Sequence, residues 1–158
     1  MSKKKLIPGV LWAAVIAWTM LALFLTFQNG ADTAQTSGKI AKEIYRILGR
    51  CGIVVEYAKL HQTLRIIAHF VLFCIFGMLL EAAIIVSSCH PSMLKSCFPA
   101  LLICTVISII PEVVKLWIPG RHLQWDEVLL NIIGAYGGVF MIALGMKKRK
   151  RNDDTSLK

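Results

Sequence analysis

Four apolar stretches, each as long as a lipid bilayer core requires, constrain the fold of this chain more than any other feature of its sequence. A helix needs about 20 largely apolar residues to cross a bilayer. The stretches run from Leu6 to Phe27, from Ile66 to Ser87, from Phe98 to Ile118 and from Val128 to Met146. Because they lack the alternation of apolar and polar residues that marks barrel strands, they predict helices, which satisfy their own backbone hydrogen bonds in lipid.

The composition agrees with a membrane protein and excludes a water-soluble domain. Of the 158 residues, 56% are hydrophobic and 17% are charged, and the mean hydropathy is +0.65. For a soluble chain of this length the hydrophobic fraction is high and the charged fraction is low. We therefore predict an all-α integral membrane bundle of four transmembrane helices. It forms a single domain over residues 1–146, and a basic, disordered tail follows over residues 147–158.

The first apolar stretch also resembles the start of a secretory signal peptide, since Lys3, Lys4 and Lys5 precede it. Its apolar run is long for a signal peptide, however. The segment from Ala31 to Ala34 also lacks the small-x-small spacing of a cleavage site. We expect the stretch to be retained as a transmembrane helix.

Basic residues at both ends of the chain set the predicted orientation. Lys3 to Lys5 precede the first helix, and the run from Lys147 to Arg151 follows the last one. The positive-inside rule places such residues in the cytoplasm. We therefore expect a multi-pass protein of a bacterial cell membrane with both termini cytoplasmic, so that residues 28–65 and the loop before the last helix lie outside.

The loop over residues 28–65 is unusually basic for an outer loop, but its apolar residues recur at helical spacing. They are Ile40, Ile44, Ile47, Leu48, Cys51, Val54 and Val55. This pattern predicts an amphipathic helix. The helix either lies in the outer membrane interface or packs over the mouth of the bundle.

The net charge of +9 does not indicate a nucleic-acid partner, because the basic run near the carboxyl end has no interleaved aromatic residues. It indicates attraction to anionic membrane lipids instead. Of the five cysteines only Cys51 would lie outside, so we expect no external disulfide within one chain. Cys89, His90 and Cys97 form a poor metal signature, and we predict no metal site and no cofactor.

Three polar residues, His69, Glu112 and Asn131, lie inside apolar stretches, where hydrocarbon should exclude them. Ionisable groups at membrane depth usually face a bundle interior or a functional site. With the predicted topology all three lie toward the outer face. The loop from Pro119 to Glu127, which contains Arg121 and Asp126, lies there too. The sequence therefore predicts one polar site at that face.

Local spacing suggests how some of these side chains are held. Ser108, Glu112 and Lys115 share a helix face, so Glu112 and Lys115 can form an ion pair. Asn131, Gly134 and Gly138 also share a face, and the glycines are typical of close helix packing. We expect the Asn131 amide to hold Glu112 or Asp126. Glu81, deeper in its helix, should lie outside this group.

The chain resembles the VanZ-like family of small bacterial membrane proteins, named for a member that accompanies resistance to the glycopeptide antibiotic teicoplanin. The similar segments span most of the chain: Phe27-Gln-Asn with Thr36-Ser37-Gly38, Leu64-Arg65-Ile-Ile-Ala-His69-Phe70, Pro111-Glu112, Ile118-Pro-Gly-Arg121, and Asp126 and Asn131 with Gly134-Ala135 and Gly138. The chain departs from the family pattern at Ile66, where a Lys is usual, at Phe73, where a Tyr is usual, and at Lys115, where a Gln is frequent.

The resemblance implies a polar outer-face site that binds or acts on cell-envelope components or envelope-directed amphiphiles, such as a cell-wall precursor or a lipoglycopeptide. The predicted ligand-binding residues are Arg65, His69, Glu112, Arg121, Asp126 and Asn131. Arg121 would contact an anion and His69 would shuttle a proton.

Two other functions remain open. An intramembrane enzyme would use His69, Glu112 and Asp126 as catalytic acid and base on a lipid-linked substrate. A structural or accessory protein would use the same polar residues only to fix helix packing. The sequence does not indicate an oligomeric state.

Overall fold

The computed structural model describes residues 3–27, 30–88, 93–118 and 123–156. These residues form five α-helices and one 3₁₀ turn, and they contain no strand. The elements are α1 (Lys3–Phe27), α2 (Gly30–Arg50), α3 (Tyr57–Ser87), α4 (Met93–Val114), the 3₁₀ turn (Lys115–Trp117) and α5 (Trp125–Ser156). Four spans within α1, α3, α4 with its 3₁₀ turn, and α5 are long and apolar enough to cross a membrane. The predicted four-helix membrane bundle is confirmed.

Several helix boundaries differ from those predicted. Helix α3 begins at Tyr57 rather than at Ile66. The sequence prediction began too late because the first turns of this helix are polar and do not raise the hydropathy. The third apolar stretch stops being α-helical at Val114 and tightens into the 3₁₀ turn. Helix α5 runs on to Ser156, past residue 147, where the basic tail was predicted to begin. The Lys and Arg residues there are good helix formers that extend an existing helix.

The predicted amphipathic helix exists, but it begins and ends earlier than the expected stretch from Ile40 to Val55. Helix α2 ends at Arg50, where the Gly52 N–H donates to the Gly49 carbonyl and the Ile53 N–H donates to the Leu48 carbonyl. This is a Schellman motif, and Gly52 supplies the positive φ of 74° that it needs. The prediction that Val54 and Val55 belong to this helix was therefore wrong.

Helix α2 packs on the start of α3. Ala41 is fully buried, and the Tyr57 hydroxyl donates to the Gly38 carbonyl at 3.3 Å. Ile40 and Ile47, on the flank of the same helix, remain exposed. The apolar residues of α2 are thus divided between contact with the bundle and an open surface.

Helix α3 is the centre of the bundle, since it contacts α1, α2, α4 and α5. It runs parallel to α5, and glycines let the two backbones touch. A Cβ on Gly77 would collide with the Ala135 carbonyl, and a Cβ on Gly138 would collide with the Cys74 carbonyl. The predicted packing role of the Gly134 and Gly138 stripe is confirmed, because Gly134 meets the backbone of Phe70 in the same way.

Helices α1 and α4 run antiparallel to this pair. The Trp12 indole donates to the Ser87 hydroxyl at 3.0 Å, and the Trp18 indole donates to the Leu72 carbonyl at 2.9 Å. On α4, the Thr105 hydroxyl lies 2.8 Å from the Tyr136 hydroxyl of α5. The core between the four helices consists mainly of Phe73, Phe76, Leu80, Ala100, Cys104, Ala135 and Val139.

The polar residues of interest lie at one end of this bundle, where α3 begins, α4 ends and α5 begins. We call it the charged end. Arg65, Glu112 and Glu127, one from each of these three helices, meet there through ion pairs.

Candidate functional site

A buried lysine between two carboxylates forms the base of the site. Lys115 is 3% exposed, and its Nζ donates to Glu112 Oε1 and to Glu127 Oε2, each at 2.5 Å. Glu112 is fully buried, and its other oxygen accepts the Gln124 backbone N–H at 3.4 Å. A buried charge is tolerated only with such partners. The ion pair between Glu112 and Lys115 that the spacing predicted is present.

Glu127 joins this base to α3. Its Oε1 lies 2.5 Å from Arg65 Nη2, while its Oε2 holds Lys115. It lies in the first turn of α5, where the helix dipole also favours a carboxylate. The two cations, Arg65 and Lys115, balance the two carboxylates, Glu112 and Glu127. This network therefore ties three helices together and is neutral in itself.

His69 is held by Asn131 rather than by an acid. Its Nδ1 lies 3.1 Å from Asn131 Oδ1. An amide oxygen only accepts hydrogen bonds, so the Nδ1–H is the donor and Nε2 of the neutral ring carries a lone pair. That Nε2 lies 3.9 Å from Glu127 Oε2, which is too far for a direct hydrogen bond. His69 thus presents a proton acceptor beside a carboxylate.

The pairing of His69 with Asn131 corrects an expectation. Asn131 was predicted to hold Glu112 or Asp126, and it holds neither. Its position follows from the contact of Gly134 with the Phe70 backbone, because residue 131 lies one turn before that glycine and is brought beside His69. Asn131 is fully buried, and its Nδ2 has no hydrogen-bond partner among the described residues.

An open pocket of about 350 Å³ lies over the network. Its polar lining consists of His61, Gln62, Arg65, His69, Gln124, Asp126 and Glu127. Ile66 and Leu130 supply an apolar side. The site therefore combines charged and neutral hydrogen-bonding groups with a small hydrocarbon surface, which suits a ligand that has a polar group and an apolar part.

Asp126 differs from the other acids of the site. It lines the pocket and is exposed, and it makes no hydrogen bond or ion pair with the described residues. Its neighbour Glu127 points into the network instead. Arg121, the predicted anion contact, lies outside the described residues. The structure thus places Arg65 and Glu112 in the network, sets the pair of His69 and Asn131 beside it, and leaves Asp126 on the pocket wall.

Sequence reasoning missed Glu127 and assigned no ligand role to Lys115. A signal for Glu127 was present: it lies four residues before Asn131, so the two share a face of α5, while Asp126 lies off that face. The expected loop boundary hid this relation, since α5 was predicted to begin at Val128 and begins at Trp125.

Glu81 lies apart from the site, as expected. It is fully buried in the other half of α3, where its Oε1 accepts a weak hydrogen bond from Cys97 Sγ at 3.7 Å. Its Oε2 has no partner among the described residues. It shares none of the contacts of the network at the charged end.

Comparison with known proteins identifies the family of the chain. A search of curated proteins and a search of solved structures find no match. The family model described as VanZ/LLP1 matches residues 11–146, which cover every described residue of the network and the pocket. The expected resemblance is confirmed, and the chain belongs to the VanZ/LLP1 family.

Proposed function

We propose that the charged end faces the outside of a bacterial cell and that its pocket binds a cell-envelope component or an envelope-directed amphiphile. In this proposal the protein contributes to resistance against teicoplanin-type glycopeptides. Membership of the VanZ/LLP1 family and four apolar helices support a membrane protein of this kind. Both termini are then cytoplasmic, in agreement with the basic residues at the two ends of the chain.

The observation that carries the proposal is the pocket above the buried network. The network makes a rigid polar floor, because each of its four charges has a partner at 2.5 Å. The apolar side contains Ile66, which is 46% exposed, and the neighbouring Ile67 is 51% exposed. A ligand in the pocket thus has a polar floor below it and the lipid-facing surface of α3 beside it. An amphiphile meets both requirements.

The test is expression of the chain in a teicoplanin-susceptible bacterium. We expect the wild type to raise the minimum inhibitory concentration of teicoplanin and Asp126→Asn to lose that effect at equal abundance in the membrane. Glu56→Gln is the matched control, because Glu56 is an exposed acid near the start of α3 whose partner is the exposed Lys59. A resistant Asp126→Asn strain, or a wild type without effect on any envelope-directed antibiotic, contradicts the proposal.

A second candidate, acid–base catalysis on a lipid-linked substrate, is favoured by His69. In the neutral ring its Nδ1–H donates to Asn131 and its Nε2 is an acceptor at the pocket, which is the arrangement a general base requires. Incubation of the purified protein with lipid-linked cell-wall precursors, followed by mass spectrometry, separates the two functions. A change in substrate mass that His69→Gln abolishes supports catalysis, and an unchanged substrate rejects it.

A further inference from the structure

Some charged side chains at the pocket already have an ion-pair partner within the protein, and one does not. Arg65 is bound to Glu127 at 2.5 Å, and Lys115 is enclosed between Glu112 and Glu127. The cations of the described site are therefore committed to internal ion pairs. Asp126 is exposed to the pocket with no such partner. Among the described lining residues, the charge left for a ligand is negative.

Two further acceptors face each other beside this acid. In the neutral ring His69 Nε2 is an acceptor, because Nδ1 donates to Asn131, and it lies 3.9 Å from Glu127 Oε2. At this separation the two atoms are too far apart to hydrogen-bond to each other. A group with several N–H donors can bond to both at once. A primary ammonium has three donors and a positive charge, whereas a quaternary ammonium has no donor.

Exposed aromatic residues indicate the depth of the pocket in the membrane. Trp125 immediately precedes Asp126 and is 69% exposed, and Trp117 at the end of the 3₁₀ turn is 76% exposed. Tryptophan concentrates at the level of lipid headgroups. Ile66 and Leu130, on the apolar side of the pocket, lie on the helices that continue into the apolar spans. The opening therefore lies where headgroups of amphiphiles are found.

From these observations we infer that the pocket binds the primary ammonium of an amphiphile headgroup, between Asp126, His69 Nε2 and Glu127. The inference rests on the proposed function and specifies the chemistry of its ligand. The ammonium donates to the Asp126 carboxylate and to the two facing acceptors, and the adjoining apolar chain lies against Ile66 and Leu130.

The experiment uses the full chain in detergent, with native mass spectrometry counting bound lysolipids of one acyl chain. The probes are lysophosphatidylethanolamine, its N-acetyl derivative and lysophosphatidylcholine. We expect saturable binding of the first and affinity about tenfold or more weaker for the other two, since each lacks a charged N–H donor. Asp126→Asn should remove this preference, and the control Glu56→Gln should retain it.

Free ethanolamine separates a lipid headgroup from a soluble amine. We expect it to compete only weakly, because it lacks the chain that contacts Ile66 and Leu130. Equal affinity for the three lysolipids, absence of binding, or ethanolamine binding as tight as that of the lysolipid overturns the inference. The proposed function is judged separately, because teicoplanin resistance that depends on Asp126 stands even when the three headgroups bind alike.

Discussion

Lys115 holds two carboxylates with a single positive charge. Glu112 and Glu127 approach its Nζ from α4 and α5, so the ammonium also connects these helices. A Gln amide at this position would donate hydrogen bonds without a charge. In this chain the Lys115 ammonium supplies one of the two positive charges that neutralise Glu112 and Glu127. Removing one member of a buried pair costs far more than an exposed pair contributes.

We expect Lys115→Met to lower the free energy of unfolding by about 3–5 kcal/mol, because it leaves the buried Glu112 without a cation and Glu127 with Arg65 alone. Lys115→Gln should be less harmful, since it keeps a donor. Thermal unfolding of the purified protein in detergent, followed by tryptophan fluorescence, measures both variants.

The matched control for this prediction is Lys59→Met. Lys59 also pairs with an acid three residues earlier, Glu56 at 3.1 Å, but both side chains are exposed. Such a pair contributes about 0–1 kcal/mol. If Lys115→Met is no more destabilising than Lys59→Met, the ammonium is not essential to the network.

Residue-scale prediction from the sequence succeeded where the partner lies on the same helix turn and failed across helices. The spacing of Glu112 and Lys115 was sufficient to predict their ion pair, because a helix fixes which residues are neighbours. The partner of Asn131 depends on which residues of α5 pack beside which residues of α3. Spacing within one helix does not predict that alignment. Besides the misplaced start of α5, the same reason hid Glu127, since its two ion-pair partners, Arg65 and Lys115, come from α3 and the 3₁₀ turn.

At the scale of elements, the parallel contact of α3 with α5 determines the geometry of the site. Gly77, Gly134 and Gly138 allow backbone contact along much of the interface. This register brings Arg65 and His69 beside Glu127 and Asn131. The hydrogen bond and ion pairs of the pocket thus depend on glycines that lie deeper in the bundle.

Gly77→Ala and Gly138→Ala should each lower the free energy of unfolding by about 1–3 kcal/mol, because the new methyl group meets backbone that cannot move aside cheaply. Gly137→Ala on the same helix is the control. Nothing lies within 4 Å of a Cβ there, and Ala is a better helix former than Gly by about 1 kcal/mol. Thermal unfolding in detergent ranks the variants. A Gly137→Ala protein as unstable as Gly138→Ala would show that close packing is not the cause.

The helices themselves could be predicted from hydropathy, but their ends could not. Apolar length identifies the part of α3 that lipid covers, whereas its start at Tyr57 is polar and follows a Schellman turn. The carboxyl end of α5 is likewise polar and helical, because a helix can continue beyond the bilayer without apolar residues. Hydropathy therefore predicts which part of a helix lies in lipid, but it does not predict where the helix begins or ends.

At the scale of the whole molecule, the proposed orientation has a direct chemical consequence. Cys51 is exposed after α2, next to the charged end, whereas Cys97 and Cys104 are buried. We expect a membrane-impermeant maleimide to label Cys51 on intact cells, because the proposed topology places that end outside. Gel shift of the labelled protein measures the reaction.

Cys51→Ser identifies the labelled site, since it should abolish the gel shift. A Cys89→Ser background removes the remaining cysteine that the sequence places in a loop. Labelling that appears only after the cells are permeabilised would invert the proposed topology, and the pocket would then face the cytoplasm.

The length of α3 links the pocket to the thickness of the membrane. Its 31 residues extend about 46 Å at about 1.5 Å per residue, against a hydrocarbon core of about 30 Å. His61, Arg65 and His69 lie on this same helix, which also contains the apolar span. Hydrophobic mismatch changes the tilt of such a helix. A thicker or thinner bilayer would then move one wall of the pocket relative to the others, so we expect the affinity for the proposed ligand to change with the acyl-chain length of the surrounding membrane lipids.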